Sequence, residues 1–305
     1  MPSVSEPATV QEAATVLAEA SRAGQTVSIG REGGDIVLST RRLDRVLEHE
    51  AGDLTVTVEA GVRLHALNDR LAEHGQMLAL DPPGDPTVGA LLAGDLFGPR
   101  VHRYGRPRDL LLGITVVLAD GAVANAGGKV VKNVAGYDLG KLFCGSQGRL
   151  GLIARASFRL HPRPPAARTL VADVDDPGEA QRLARALLHA QVVPSAVDLL
   201  WPGRLAVLFE GAERAVEEQL ALAQDLTGGR QGSPRVWAES ADRQHAAPAR
   251  RAFGAGELAA RLREAGECVV HLGATCFLFG PVAALRWTPL AERLRAELDP
   301  AGTLA

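Results

Sequence analysis

The stretch "GGKVVKNVAGYDLGKLFCGSQGRLGLI", from Gly127 to Ile153, contains seven glycines among its 27 residues, together with lysines, a tyrosine and an aspartate. Glycine allows another group to approach the main chain, and exposed backbone N–H groups bind phosphate oxygens. Backbone freedom beside positive charge therefore predicts a cradle for an anionic ligand. The alternative is a tight turn without chemistry, in which Asp138 only caps the helix "LGKLF".

Positive charge is concentrated in the same part of the chain. Between Leu96 and Pro165 there are eleven Lys and Arg, three Asp and no Glu, which gives +8. The whole chain carries −3, so the rest of it carries −11. A basic region attracts nucleic acid, a phosphorylated cofactor or an acidic partner. Because the aromatic residues are scattered rather than interleaved for base stacking, a compact phosphate ligand is favoured and no nucleic acid is expected.

None of the common phosphate-binding motifs accounts for these glycines. A Walker loop around Gly128-Lys129 would need a glycine in place of Val123 and a Ser or Thr in place of Val130. The dinucleotide fingerprint opens a helix, whereas the last three glycines of the stretch lead into a predicted strand. We therefore expect several glycine-rich stretches to surround an extended ligand, with "GREGGD" (30–35) and "PTVGALLAGDLFGPR" (86–100) as the other two.

The chain of 305 residues exceeds one comfortable hydrophobic core, so two domains are expected. The pattern changes at "HPRPPAA" (161–167), where three prolines stiffen the path. An amphipathic helix near the N-terminus, strands and two further helices precede it. After it, the order strand, helix, strand, strand, helix predicts a ferredoxin-like sheet with helices on one face. Residues 233–256 have weak periodicity and receive no assignment, and "TPLAERLRAEL" predicts a terminal helix.

Other features argue against several classes of protein. The three cysteines form no CxxC pair, which excludes a zinc ribbon, a disulfide framework and a self-contained iron–sulfur cluster. No His, Asp and Glu cluster has metal-ligand spacing, so no metal is expected, and His271 is expected to be a hydrogen-bonded strand residue. The N-terminus lacks a signal-peptide pattern, and the longest apolar run, Leu110–Ala119, is about half of a membrane span. We therefore expect a cytoplasmic protein without a transmembrane segment.

The opening stretch and "PTVGALLAGDLFGPRVHRYGRPRDLLLG" (86–113) together resemble the FAD-binding domain of the vanillyl-alcohol oxidase (PCMH-type) superfamily. Within it, "KNVAGYDL" followed by "GxxGxLG" is similar to the FAD-binding E subunits of bacterial glycolate oxidase (glycolate dehydrogenase). The resemblance implies an α+β fold. A two-subdomain PCMH-type FAD-binding domain would cover residues 1–163, and a smaller ferredoxin-like cap domain would cover residues 164–305. The C-terminal helix is expected to return to the FAD-binding domain.

FAD is the cofactor that the resemblance implies, and it is expected to be non-covalent because "GREGGD" has no His, Cys or Tyr for attachment. The family pattern puts the pyrophosphate at the turn after the first strand, and it puts the flavin near residues 98–109 and 133–138. No catalytic residue is assigned. The FAD-binding residues that the pattern implies are Gly30, Gly33, Gly34, Thr87, Val88, Gly89, Ala93, Gly94, Gly98, Tyr104, Gly105, Arg108, Asp109, Asn133, Gly136, Tyr137, Asp138, Gly148, Gly151 and Ile153.

The activity that the resemblance implies is that of an FAD-binding subunit in a glycolate oxidase-like complex, which oxidises a 2-hydroxy acid such as glycolate to glyoxylate. Its partners would be an FAD-containing D-like catalytic subunit and an iron–sulfur F-like subunit, and the complex could hold it at the inner membrane. Alone, the chain is not expected to be active, because its cap region shows no evident base. Two alternatives stay open: a non-catalytic scaffold subunit with weak or no FAD, and a stand-alone flavin-dependent hydroxy-acid or alcohol oxidase.

Two details bear on how tightly FAD would be held. Glu32 and Asp35 lie in the first turn, which is shorter than the family pattern, and carboxylates there would repel a pyrophosphate. Gly89 and Gly148 are expected to lie so close to the cofactor that neither position admits a side chain.

Overall fold

The first subdomain is a small parallel sheet with one helix against it. A computed structural model of the chain describes residues 2–128, 139–281 and 288–305. The strands lie in the order β1-β3-β2, and the buried residues of the helix share one face, as its amphipathic pattern predicts. The elements are β1 (Ser3–Ser5), α1 (Val10–Ala23), β2 (Val27–Ile29) and β3 (Ile36–Leu38).

The second subdomain is a five-stranded antiparallel sheet in the order β4-β5-β9-β7-β8. Helices α2 and α3 pack their leucines against it, and this packing forms the core of the domain. The elements are β4 (Val46–Glu50), β5 (Thr55–Glu59), α2 (Leu64–Ala72), β6 (Gln76–Met77), α3 (Val88–Gly94), α4 (Val101–Tyr104), α5 (Pro107–Leu110), β7 (Leu111–Val117), β8 (Val123–Gly127), α6 (Leu139–Phe143), β9 (Leu152–Arg159) and β10 (His161–Pro162).

The cap domain is a seven-stranded antiparallel sheet in the order β14-β11-β13-β12-β16-β17-β15. Its first four strands have the ferredoxin-like order that the sequence predicts, and three further strands extend them. In the described part of the chain no helix is both long and apolar enough to cross a membrane. The elements are β11 (Ala166–Val174), α7 (Pro177–His189), β12 (Ala196–Trp201), β13 (Gly203–Gly211), α8 (Glu213–Thr227), β14 (Arg230–Gln231), α9 (Arg235–Ala246), β15 (Ala249–Gly254), α10 (Leu258–Glu264), β16 (Cys268–His271), β17 (Thr275–Gly280) and α11 (Pro289–Leu298).

The structure corrects the sequence analysis at two places. The proline-rich stretch 161–167 is shorter as a linker than expected, because β10 pairs with β6 and β11 already begins at Ala166. Residues 233–256, which received no assignment, contain α9 and β15.

The two faces of the cap sheet have different neighbours. Helices α7, α8 and α10 contribute leucines and alanines to the core on one face, as expected for a ferredoxin-like unit. On the other face Phe97, from the loop after α3, is 1% exposed and packs with Val236, Val269 and Phe279. This aromatic ring therefore joins the FAD-binding domain to the cap domain.

The last residues of the chain lie against the first subdomain. The N–H of Val27 donates to Thr303 O at 2.6 Å, and the N–H of Ala305 donates to Val27 O at 3.0 Å. Leu304 is fully buried in the same apolar cluster as α1. The edge of the three-stranded sheet at β2 is thereby covered by residues nearly 280 positions later in sequence.

A buried polar network crosses the side of the cap sheet that faces the other domain. The Nδ1 and Nε2 atoms of His271 lie 2.7 Å from Asp198 Oδ1 and 3.1 Å from Gln244 Oε1. The Gln244 Nε2 donates to Phe97 O at 2.6 Å, and Ser240 donates to the second oxygen of Asp198. Because the Gln244 amide nitrogen binds Phe97 O, the amide oxygen faces the ring, and each nitrogen of His271 lies within hydrogen-bond distance of an oxygen. His271 is thus fully hydrogen-bonded, as the sequence analysis expects.

Removal of the His271 ring should destabilise the fold strongly. In His271→Leu the Asp198 carboxylate and the Gln244 amide oxygen stay buried without their hydrogen-bond partner, and we expect the free energy of unfolding to fall by about 2 kcal/mol or more. Urea denaturation followed by circular dichroism measures the change. His189→Leu, at the exposed end of α7, is the control and should change stability by less than about 0.5 kcal/mol. Equal stabilities of the two variants would show that the network does not stabilise the fold.

Candidate functional site

A cavity of about 940 Å³, the glycine cavity, lies between the first subdomain and α3. Its walls come from the turn after β2, the first turns of α3 and the loop between α6 and β9. The three glycine-rich stretches of the sequence therefore meet in space. The predicted FAD-binding residues that line it are Gly30, Thr87, Gly89, Ala93, Gly94, Gly148, Gly151 and Ile153.

Two of these glycines have left-handed backbone conformations, which glycine adopts without a steric penalty. Gly30 has φ 67° and open space where a Cβ would stand, so a ligand can approach its main chain. Gly148 has φ 75°, and a Cβ there would lie 3.3 Å from the Ile29 Cβ. Within the described residues the N–H of Gly148 makes no hydrogen bond and is available to a ligand.

Packing within the protein explains why residue 89 is a glycine. A Cβ at this position would lie 3.0 Å from the Ala60 Cβ and 3.2 Å from the Ala60 carbonyl oxygen. The N–H of Gly89 also donates to Ala60 O at 2.7 Å. Contact between α3 and β5 therefore already requires glycine here. The expectation that the cofactor excludes a side chain at Gly89 is not needed to explain the residue.

Charged side chains surround the glycine cavity. Three cations, Arg31, Arg41 and Arg63, line it together with Glu6 and Glu32. The cations outnumber the carboxylates by one, and a diphosphate entering the cavity would find more attraction than repulsion. These arginines come from three separate parts of the chain, and none was predicted as a site residue.

The expected repulsion from Asp35 is wrong, because its carboxylate does not line the cavity. Its Oδ2 accepts the N–H of Thr26 at 2.8 Å and the hydroxyl of Thr26 at 2.9 Å. The backbone hydrogen bond and then the hydroxyl bond hold the pKa of Asp35 below its usual value. Asp35 therefore fixes the first turn, and Glu32 is the turn carboxylate that faces the cavity.

A second cavity of about 820 Å³, the interdomain cavity, lies between the FAD-binding domain and the cap domain. Gly94 and Gln147 line both cavities, so the two meet there, and we call this point the neck. The other polar side chains of the interdomain cavity are Cys144, Ser146, Gln244, His245, Thr288 and Arg250. Its large apolar side chains are Leu96, Phe97, Leu142, Leu150, Phe279 and Leu294.

A buried carboxylate holds the two domains together beside the neck. Asp95 ends α3 in a left-handed conformation with φ 48° and is 1% exposed. Both of its oxygens accept from Arg106, and Arg250 of the cap domain donates to Asp95 O at 2.6 Å and to Oδ2 at 3.0 Å. The Arg106 and Arg250 guanidinium carbons also lie 5.7 Å and 5.0 Å from the Phe97 ring centroid.

Several predicted FAD-binding residues line neither of these cavities. Gly33 and Gly34 turn back on β2, where an added Cβ would lie 2.9 Å from Ser28 Oγ and from Thr26 O respectively. Val88 is fully buried in the core of the second subdomain. Asn133, Gly136, Tyr137 and Asp138 lie outside the described residues.

The predicted FAD-binding residues between Gly98 and Asp109 also line neither cavity and instead contact other parts of the protein. A Cβ on Gly98 would lie only 1.9 Å from Asp81 O, and burial raises the pKa of the Asp81 carboxyl to about 6. Asp109 accepts the N–H of Arg106 at 2.8 Å at the start of α5, and an added Cβ on Gly105 would meet it at 2.8 Å. The remaining predicted members, Tyr104 and Arg108, contact His161 and Asp109 respectively.

The residues around the site fit a bound FAD. The glycine cavity offers open main chain, free N–H groups and three arginines to a diphosphate, and the interdomain cavity offers apolar walls to a flat ring system. The Ser146 hydroxyl is buried at the interdomain cavity without a hydrogen-bond partner among the described residues, which a polar ligand would supply. No group of three or more potential metal ligands converges within the described ranges.

Removal of the negative charge at Glu32 should tighten FAD binding. Glu32→Gln keeps the size of the side chain, and loss of the repulsion should raise FAD affinity about two- to fivefold at low salt. Fluorescence titration of the apoprotein with FAD measures the change, which should shrink at high salt. Glu19→Gln, on the exposed face of α1, changes the net charge equally and should leave affinity unaltered. An equal gain in both variants would show that Glu32 acts only through the net charge.

Comparisons with known proteins agree with this geometry. Residues 2–127 match the family model of the FAD binding domain. A solved structure of alkyldihydroxyacetonephosphate synthase superposes with a TM-score of 0.72 at 17% identity, covering 98% of this chain and 75% of that chain. At this identity the match shows a shared fold.

Curated relatives are named as oxidases and dehydrogenases. The chain is 30% identical to "Glycolate oxidase subunit GlcE" of Escherichia coli (strain K12), covering 71% of this chain and 61% of the relative. It is 30% identical to "Probable D-lactate dehydrogenase, mitochondrial" of Danio rerio, covering 69% of this chain and 46% of the relative. It is 33% identical to "Glycolate oxidase subunit GlcD" of Bacillus subtilis (strain 168), covering 60% of this chain and 39% of the relative. The match thus spans 39% to 61% of these relatives' lengths. Residues 2–127 thus match an FAD binding domain, and FAD is the cofactor that this match indicates.

Proposed function

We propose that the chain is an FAD-dependent oxidoreductase subunit that takes part in the oxidation of a 2-hydroxy acid. The observation that carries the proposal is the meeting of two unlike cavities at the neck, between the FAD-binding domain and the cap domain. One is basic and lined by glycine, and the other is lined largely by apolar side chains. A dinucleotide with a flat apolar ring at one end is divided in the same way, into an anionic diphosphate part and an apolar ring part.

FAD would lie with its diphosphate in the glycine cavity and its flavin ring in the interdomain cavity. Arg31, Arg41 and Arg63 would neutralise the diphosphate, while the N–H of Gly148 would donate to it. Leu142, Leu150, Phe279 and Leu294 would wall the ring and keep water from it. Bound FAD supplies the acceptor for the two electrons and the hydrogen that leave a hydroxy-acid carbon. The chain's own part is to bind, orient and shield that acceptor.

Glycolate is the proposed substrate, and glyoxylate the product, in a complex with a D-like catalytic subunit and an iron–sulfur F-like subunit. Support comes from the names of two relatives, which are the E and D subunits of glycolate oxidase. The complex would be cytoplasmic, and the chain would reach the inner membrane only through its partners. The division of the chain into an FAD-binding domain (1–163) and a cap domain (164–305) belongs to the same proposal.

One observation favours a second candidate, a stand-alone oxidase of a hydroxy acid or alcohol. His245 at the end of α9 and Arg250 on β15 both line the interdomain cavity. A histidine can accept the hydroxyl proton and an arginine can bind a carboxylate. Both residues lie in the stretch 233–256, which the sequence analysis left without assignment. The cap domain therefore offers a base that the sequence analysis did not find.

Non-covalent attachment of FAD is the first expected result. Acid precipitation of the purified yellow protein should release all flavin absorbance into the supernatant. Cys144 and His245 are the potential attachment residues of the interdomain cavity within the described part of the chain. Flavin that stays in the pellet, and returns to the supernatant in Cys144→Ser or His245→Gln, would contradict the expectation. A colourless protein that binds no added FAD would indicate the scaffold alternative.

Dependence of glycolate oxidation on the partner subunits is the second expected result. The isolated chain should reduce a dye with glycolate at less than about 1% of the rate of the reconstituted complex, since one positioned base contributes about 10²–10⁴-fold. In the complex, His245→Gln should leave the rate within about twofold. Turnover by the isolated chain that is lost in His245→Gln would instead establish the stand-alone oxidase.

A further inference from the structure

The neck contains a residue, Gln147, whose backbone conformation suits glycine better than glutamine. Gln147 has φ 56°, in the left-handed region where residues other than glycine are strained. It stands between Gly145 (φ 82°) and Gly148 (φ 75°), which adopt similar angles without a Cβ. A glycine at position 147 would therefore adopt the backbone conformation of this turn with less strain.

The end of α3 holds the main chain of this turn in place. The N–H of Gly145 donates to Leu92 O, and the N–H of Gln147 donates to Ala93 O, both at 2.9 Å. The second bond satisfies the Ala93 carbonyl, which the end of the helix leaves without a helical partner, while Leu92 O also accepts from the N–H of Asp95. The two bonds fix the backbone angles at 147 but make no use of the side chain.

The amide of Gln147 is exposed at the neck and free within the described part of the chain, where it makes no hydrogen bond. Among the described lining residues, the two cavities share one other, Gly94, which has no side chain. Any extended molecule that occupies both cavities must pass this amide. An amide both donates and accepts, which suits a chain of hydroxyl groups.

We propose that Gln147 is a positioning residue that hydrogen-bonds the ribityl hydroxyls of FAD at the neck, and that its backbone strain is retained for this contact. The inference rests on the proposed path of FAD through both cavities. In that path the ribityl chain is the segment between the diphosphate and the flavin ring. Gln147 then sets how far the ring enters the interdomain cavity.

Two substitutions separate the effect of the Gln147 side chain from the effect of its strained backbone. Gln147→Ala removes the amide and keeps the strained backbone, so FAD affinity should fall about three- to tenfold while the stability of the apoprotein stays unchanged. Gln147→Gly removes both, so affinity should fall equally while the melting temperature of the apoprotein rises by about 2–4 °C. A more stable apoprotein that binds FAD less well is a result that a merely structural residue would not give.

Titration with ADP locates the contact. ADP carries the adenosine and the diphosphate of FAD but has neither the ribityl chain nor the ring. Its affinity should be the same for the unaltered chain and for both variants. An equal loss for ADP and FAD would place Gln147 at the diphosphate and overturn the proposal.

The remaining outcomes separate the two proposals. If the unaltered chain binds FAD and both variants bind it equally well, the role of Gln147 is refuted and the proposed function stands. If Gln147→Gly is no more stable than Gln147→Ala, the strain is absent and that half of the proposal fails. If the unaltered chain binds neither FAD nor ADP, the proposed function and the role of Gln147 fail together.

Discussion

The Asp95 carboxylate is the contact on which the site depends most. It ends α3 where the first domain meets the second, and it accepts from one arginine of each domain. A buried carboxylate without such partners would cost several kcal/mol, so neither arginine can leave without a large penalty. Phe97 lies under both guanidinium groups, and its carbonyl accepts a hydrogen bond from Gln244 of the His271 network, so the apolar and polar contacts between the domains share one centre. The neck lies beside this centre, because Gly94 directly precedes Asp95 in the chain.

The elements that the sequence predicts well are those whose buried positions are apolar. Helix α1 buries valine, alanine and leucine on one face, and the buried residues of α7 and α8 are equally apolar. The first three cap strands, β11, β12 and β13, also bury mainly apolar residues. Helix α9 was missed because two of its three buried residues are Ser240 and Gln244, which join the polar network under the sheet. Strand β15 was missed because it is an edge strand with arginines at its centre. Hydrophobic periodicity cannot detect elements that are buried through hydrogen bonds.

The sequence likewise predicts one part of the candidate site and misses another. Glycine patterns located the turns around the first cavity, but they could not tell a glycine that faces a ligand from one, such as Gly89, that faces its own fold. The cavity arginines were missed because they come from three separate parts of the chain, and only folding brings them together. Asp35 was assigned to the wrong environment because its hydrogen-bond partner, Thr26, precedes strand β2, whereas Asp35 follows it. Chemistry that depends on distant parts of the chain leaves little trace in local sequence.

The contact between Val27 and Thr303–Ala305 bears on how the protein is made. A ribosome completes the residues of the first subdomain early, and domains generally begin to fold in the order of their synthesis. Here the edge strand β2 gains its last neighbour only when residues near position 304 have emerged. During most of translation this edge is open, with unpaired main-chain groups that invite pairing with other nascent chains. Strand β2 is therefore synthesised long before its edge is closed, and a chaperone that shields this edge could act throughout the synthesis of the cap domain.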